Sequence, residues 1–120
     1  MSVTTLVQPT PPVVGLDVSL YAEGGSTLVV LRGEADIYTV PVVVDALARV
    51  ISDREGNVVV DLAEADFIDV AALRAVLRAG QILAGGERRL ELRSPSRVAD
   101  RLLSVFGLSH LVGQAAAAGA

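Results

Sequence analysis

The apolar residues of this chain change spacing repeatedly between that of a strand and that of a helix, and this change limits the fold more than any other feature. Residues 58–62 form an almost continuous apolar run, which is typical of a strand covered on both faces. The segment before it repeats apolar residues at helical spacing, as Val43, Leu47 and Val50 show. A further helical pattern follows the run. Strands separated by helices predict parallel neighbours joined by right-handed crossovers.

The remaining segments complete a predicted order of two strands, helix, strand, helix, strand and helix. In chain order they are strands 16–20 and 27–32 joined by the turn 23–26, a helix from Pro41, a helix capped by Asp69, strand 88–93 and a helix after Ser94. The inward-facing residues predicted for the last two helices are Val70, Leu73, Val76, Leu77, Gly80 and Leu83, then Val98, Leu102, Leu103 and Phe106. We therefore expect an α/β fold, a small mixed sheet of roughly four to five strands with three to four helices packed against it.

The length of 120 residues fits one domain, which we place at residues 15–112. Residues 1–14 contain a proline cluster and are predicted to be a flexible leader, while the Ala/Gly-rich residues 113–120 are predicted to be a flexible tail. No apolar run approaches the roughly 18 residues of a membrane-spanning helix, and no secretory signal is visible. We expect a cytoplasmic protein without membrane insertion.

The composition excludes several classes of function. Without cysteine the chain has no disulfide, thiolate nucleophile or Cys-ligated metal. Aromatic residues make up only 3%, and the net charge is −4, so a nucleic-acid surface is disfavoured. The single histidine, His110, has no evident acid partner for a triad, and no nucleotide-binding glycine motif is present. We therefore expect no enzymatic activity, no cofactor and no metal site.

Residues 33–41, and residues 58–62 together with Phe67, Ile68 and Asp69, resemble two blocks of the STAS domains, the family of the anti-sigma factor antagonists. Residues 33–41 read GEADIYTVP and are similar to the family's GELD…AP segment. Residues 58–62, followed by Phe67, Ile68 and Asp69, are similar to its vvvDLs…fiDSSGL block. The resemblance extends from about Leu16 to Leu111. It implies a STAS fold and a function in protein–protein regulation.

The chain differs from the family pattern at the position where members of the family are phosphorylated. The resemblance implies that a Ser or Thr should follow the capping Asp69, where a partner kinase that is itself an anti-sigma factor phosphorylates it. Here that residue is Val70, followed by Ala71 and Ala72, and residues 65–83 contain no Ser, Thr or Tyr. A valine has no oxygen that could accept a phosphoryl group. The sequence therefore predicts a docking surface that phosphorylation at Val70 cannot switch off.

The resemblance places a partner-binding face in the loop after Gly33 and at the start of the second helix. Its predicted members are Asp36, Tyr38, Thr39, Asp69, Val70 and Ala71. Each of the loop residues has a second interpretation. Asp36 is equally compatible with a turn that bonds local N–H groups, and Tyr38 with covering the edge of the core. Thr39 is better suited to capping the first helix than to serving as a substitute phosphoacceptor.

Three other interpretations stay open at this point. Four acids, Asp36, Asp61, Asp66 and Asp69, could form a magnesium pocket like that of a phosphoaspartyl receiver domain, although such domains use a lysine and this chain has none. The arginines of residues 88–101 could form a solvated basic face or an anion site. Apolar surface near residues 40–44 or 70–72 leaves room for a homodimer.

The favoured function is that of a regulator resembling an anti-sigma factor antagonist, which binds an anti-sigma factor of the GHKL kinase type, or a related regulatory protein, and so frees a sigma factor. The alternative is a non-catalytic STAS scaffold or ligand-sensing module, such as a small subunit of a lipid transporter.

Overall fold

A six-stranded mixed sheet forms the centre of the computed structural model, which describes residues 3–5 and 15–113. The strands are β1 Val3–Thr5, β2 Leu16–Glu23, β3 Ser26–Ala35, β4 Val58–Asp61, β5 Ala65–Ile68 and β6 Leu90–Arg93. The helices are α1 Val40–Asp53, α2 Val70–Gly85 and α3 Arg97–Val105, followed by a 3-10 turn at Ser109–Leu111. The α/β architecture predicted from the spacing is confirmed.

The sheet has the order β1-β2-β3-β4-β6, and β5 also pairs with β3. Strand β2 is antiparallel to β3, whereas β4 and β6 extend the sheet in parallel, as the helical crossovers predict. The two-residue hairpin at Gly24 and Gly25 is also confirmed, with Gly24 at a φ of 60°. Two short strands were not predicted. Strand β1 pairs with β2, and β5 pairs with the last residues of β3, beyond the part of β3 that pairs with β4.

All three helices contribute to one large core on a single face of the sheet. Alternate strand residues such as Val18, Leu31 and Val60 meet helix residues such as Val50 and Leu83 there. The prediction that the strand at residues 58–62 is covered on both faces is therefore only partly correct. Within the described residues, the second face carries a separate small cluster of Leu28, Val30 and Val59, which Tyr21 joins and to which no helix contributes.

An ion pair spans this helix-free face. Arg93 on β6 donates to Glu23 on β2 through two nitrogens, at 2.8 and 3.2 Å. Strands β3 and β4 lie between the two partners, so the pair crosses above the strands that carry the small apolar cluster. The hydrogen bonds from Arg93 lower the pKa of Glu23 below its usual value, against the opposing effect of burial.

Another arginine closes the C-terminal end of α1. Arg88 donates to the backbone carbonyls of Gly56 at 2.7 Å, Ile51 at 2.9 Å and Arg54 at 2.9 Å. Carbonyls at a helix end lack intrahelical partners, and this guanidinium provides them. Arg88 and Arg93 are thus each engaged at separate places, which removes two of the five arginines of residues 88–101 from the predicted basic face.

The third helix is oriented differently from the sequence-based expectation. Its buried residues are Ala99 and Leu103, whereas Val98 is 71% exposed and Phe106 is 48% exposed. The prediction that Val98 and Phe106 face inward is wrong. On a short helix several neighbouring stripes are apolar, and the contacts with the core decide which of them is buried.

The predicted leader and tail lie largely outside the described residues. Within residues 1–14 only the backbone of β1 is described, and residues 114–120 are not described.

Candidate functional site

The ends of strands β3 and β5 bring the two predicted site segments together. Ala35 and Ile68 are register partners in this parallel pair. The next residues along the chain are Asp36 and Asp69, so both aspartates leave the sheet side by side. The backbone N–H of Asp69 also donates to the carbonyl of Ala35 at 3.0 Å. The loop before α1 and the start of α2 therefore lie on the same side of the molecule.

The loop at residues 36–39 is held by its own side chains. Oδ1 of Asp36 accepts from the backbone N–H groups of Tyr38 at 2.9 Å and Thr39 at 3.1 Å. In return, the hydroxyl of Thr39 accepts from the N–H of Asp36 at 2.9 Å and donates to the carbonyl of Glu34 at 2.9 Å. Asp36 thus has the turn-forming role considered for it. The reciprocal bonds fix the backbone from which Tyr38 projects.

The predicted capping role of Thr39 is only half correct. Thr39 occupies the position before α1, and its carbonyl accepts from Val42 at 2.9 Å, but its hydroxyl makes no cap hydrogen bond to the helix. The hydroxyl is turned into the loop, and the residue is only 3% exposed. This burial opposes the alternative in which a kinase modifies Thr39, because the oxygen is already engaged and covered.

Asp69 is the N-cap of α2, as the sequence predicts. Its Oδ1 accepts from the N–H of Ala72 at 3.1 Å, three residues into the helix. This bond satisfies one of the unpaired N–H groups of the first turn. Val70 and Ala71 follow directly and are both half-buried. The surface at this helix start is therefore apolar and carries no side-chain oxygen beyond the cap.

Exposed apolar side chains lie next to the two aspartates along the chain. Tyr38 is 86% exposed and Ile37 is 65% exposed in the loop. Phe67, 48% exposed, pairs through its backbone with Glu34 on the neighbouring strand. We call Asp36, Ile37, Tyr38, Phe67, Asp69, Val70 and Ala71 together the loop–helix face. Thr39, which was also predicted to bind the partner, is buried and instead supports the loop from within. An exposed aromatic and aliphatic set of this kind is typical of a binding surface.

Sequence reasoning missed Ile37 and Phe67. A signal for Phe67 was present, because in a strand it must point away from the side to which its neighbour Ile68 points, and Ile68 is buried. The sequence pattern does not identify residues 65–68 as a strand, so this signal can be interpreted only with the structure. Ile37 has no comparable signal, since a turn residue has no fixed face.

An irregularity within β3 at Gly33 lies just before the loop of the site. Gly33 has a φ of 103°, and a Cβ built on it would overlap the carbonyl oxygen of Gly15. The register between β3 and β5 shifts after Gly33, which produces an irregularity just before Glu34. Only glycine fits both the backbone conformation and the close approach.

The acidic pocket considered as an alternative is not formed. Among the residues that the structure describes, no group of three or more His, Cys, Asp or Glu side chains could hold a metal ion. Asp61 instead accepts from the N–H of Ala63 at 2.9 Å, and Asp69 is engaged as a cap. The receiver-like interpretation loses its metal ligands. His110 is exposed and lies beside β6, the strand at one edge of the sheet.

Comparison with protein families gives one match. The family described as "Mlab, STAS domain" matches residues 18–113, which is most of the chain. A search of the curated proteins gives no match. Within residues 3–5 and 15–113, no helix combines the length and the apolar character that crossing a bilayer requires.

Several solved structures share the fold. An anti-sigma factor antagonist from Mycobacterium paratuberculosis has a TM-score of 0.71 at 22% identity and covers 92% of this chain and 83% of its own. SpoIIAA in its unphosphorylated form has a TM-score of 0.72 at 18% identity, covering 81% of this chain and 86% of its own. The phosphorylated form of SpoIIAA, a Bacillus cell fate determinant, has a TM-score of 0.65 at 16% identity, covering 82% and 88%. At these identities the likeness establishes the fold.

Proposed function

The chain belongs to the STAS domain family, and from this premise we propose that it is a regulator of the anti-sigma factor antagonist type. It binds an anti-sigma factor through the loop–helix face and so frees a sigma factor for transcription in the cytoplasm. The observation that carries the proposal is the adjacency of Asp36 and Asp69 at the ends of β3 and β5, with exposed Ile37, Tyr38 and Phe67 within two residues of them along the chain. No chemical step is required of the chain itself.

The start of α2 lacks a phosphoacceptor, and this distinguishes the proposed regulator from one that phosphorylation switches off at that position. Residues 53–93, which include β4, β5 and all of α2, contain no Ser, Thr or Tyr. A phosphoserine at a helix start would add roughly −1.5 to −2 charges to a binding surface. The corresponding surface here is apolar at Val70 and Ala71. We therefore expect docking that persists in the presence of ATP.

Binding to GHKL-type anti-sigma kinases from the source organism tests the proposed face, with affinity measured by isothermal titration calorimetry. Phe67→Ala is expected to weaken binding about tenfold, which corresponds to about 1.4 kcal/mol for a buried aromatic contact. Phe106→Ala is the matched control, because both phenylalanines are 48% exposed and Phe106 lies on α3. Equal effects of the two substitutions would place the interface elsewhere.

Phosphorylation is tested with the same kinase, ATP and intact-mass analysis. The unchanged protein is expected to gain no phosphoryl group and to keep its affinity, whereas Val70→Ser should gain one phosphoryl group and lose affinity. The variant restores only a hydroxyl at the helix start. Phosphorylation of the unchanged protein with loss of binding, or a Val70→Ser variant that binds the kinase but is never modified, would contradict the proposal.

A second candidate is a non-catalytic STAS scaffold or ligand-sensing module, such as a small subunit of a lipid transporter. The hydroxyl-free start of α2 favours it, because a permanent subunit needs no phosphorylation switch at its docking surface. Copurification of the tagged protein distinguishes the two. Recovery of a transporter ATPase instead of an anti-sigma kinase would support the second candidate and overturn the first.

A further inference from the structure

A groove lined mainly by apolar side chains lies between α1 and α2, on the side away from the sheet. It has a volume of about 400 Å³. Val44, Ala48 and Ile51 line it from α1, and Ala75 and Ile82 line it from α2. Val44 is 48% exposed and Ile82 is 54% exposed, so the groove is open.

The spacing of these residues matches a helix as the occupant. On α1 the lining residues recur three or four positions apart from Val40 to Ile51, and on α2 they do so from Ala71 to Ile82. Each series therefore follows one face of its helix for about three turns, or about 16 Å. Two parallel stripes of this kind form the surface into which a third helix packs.

The charge of the groove indicates which type of helix it would bind. Arg74 and Arg78 line the α2 wall, one helical turn apart. Within residues 15–113, neither guanidinium forms a hydrogen bond or an ion pair. The α1 wall is uncharged, since Asp45 and Arg49 pair with each other at 3.2 Å outside the groove. The groove therefore presents an unpaired positive strip on a chain whose net charge is −4.

We propose that this groove binds an acidic amphipathic helix of the partner protein, with apolar residues three or four positions apart and two carboxylates one turn apart facing Arg74 and Arg78. The proposal rests on the proposed function, because the groove begins at Val40 and Ala71, next to the loop–helix face. A second copy of this chain is a less suitable occupant. Its own α1–α2 surface would bring the same unpaired guanidinium groups to the interface.

A crosslinked helical peptide of about 15 residues, with leucines at heptad spacing and flanking glutamates, is the probe. Its affinity for the full chain is measured by fluorescence anisotropy. The double charge reversal Arg74→Glu with Arg78→Glu is expected to weaken binding at least tenfold and to favour a matched peptide with lysines in place of the glutamates. Ala48→Trp, which fills the groove from an exposed position, should also abolish binding.

The matched control is Arg97→Glu with Arg101→Glu on α3. These arginines are also exposed, also four residues apart and also without a hydrogen bond or ion pair within residues 15–113. This control should leave peptide binding unchanged. Equal effects of the two double variants, equal affinity for both peptides, or a homodimer that Ala48→Trp dissociates would overturn the proposal. Because the peptide assay uses no anti-sigma factor, its failure is distinct from loss of binding through Phe67.

Discussion

Replacing Arg88 with alanine should destabilise the fold far more than replacing the neighbouring Arg89 with alanine. The guanidinium donates three hydrogen bonds, to the carbonyls of Ile51, Arg54 and Gly56, at 2.7 to 2.9 Å. These carbonyls lie 32 to 37 residues earlier in the chain, at and beyond the end of α1. Removing the side chain therefore removes three hydrogen bonds between the end of α1 and the segment that leads into β6.

The size of the effect follows from the character of each bond. A hydrogen bond from a charged donor contributes about 1.5–3 kcal/mol when its acceptor is otherwise unpaired. Water can replace part of this at Arg54, where the bond is exposed. We expect a total loss of about 3 kcal/mol in the free energy of unfolding. For a domain of this size, that loss lowers the melting temperature by about 12 °C.

The neighbouring arginine provides the control. Arg89 is exposed, and within residues 15–113 its side chain makes no hydrogen bond or ion pair. Arg89→Ala should change the free energy of unfolding by no more than about 0.5 kcal/mol, the typical range for a surface substitution. Urea unfolding of both variants measures the difference. If Arg88→Ala is no less stable than Arg89→Ala, the three hydrogen bonds do not hold α1 in solution.

Three further changes test other parts of the structure. Gly33→Ala should destabilise the fold by about 1–3 kcal/mol in thermal unfolding, because residue 33 has a positive φ and a Cβ there would overlap the carbonyl of Gly15. Asp69→Ala should cost about 1 kcal/mol in urea unfolding through loss of the N-cap, and an unchanged midpoint would contradict the capping bond. Arg93 lowers the pKa of Glu23, so this stabilisation is present above the unfolded-state pKa and is lost as the pH falls through the folded-state pKa. Glu23→Gln should therefore reduce the loss of stability below about pH 5, and an unaltered pH profile would refute the ion pair's role.

Features that depend on a few neighbouring residues were predictable from the sequence. The glycine pair between β2 and β3 gave the hairpin, and Asp69 was recognised as a cap because its partner is only three residues away. The motif at residues 33–41 also indicated the loop of the site. In each case the deciding interactions are local, so that the order of residues contains the needed information.

Features that depend on distant partners were missed. Strand β5 is only four residues long and forms because β3 offers it an edge, and Phe67 became visible as a surface residue only with that pairing. The roles of Arg88 and Arg93 depend on acceptors 32 to 70 residues away. The hydroxyl of Thr39 has the loop as its partner instead of the helix, which the cap preference alone does not distinguish.

The sequence by itself determined the alternation of strands and helices, the capped start of α2 and the lack of any hydroxyl on that helix, because spacing and side-chain chemistry are properties of the chain. Only the tertiary structure decided that Asp36 and Asp69 leave the sheet side by side and that α1 and α2 leave an open groove with two unpaired arginines. Strand pairing and helix packing join residues that are far apart in the chain, and these contacts are fixed only when the core closes.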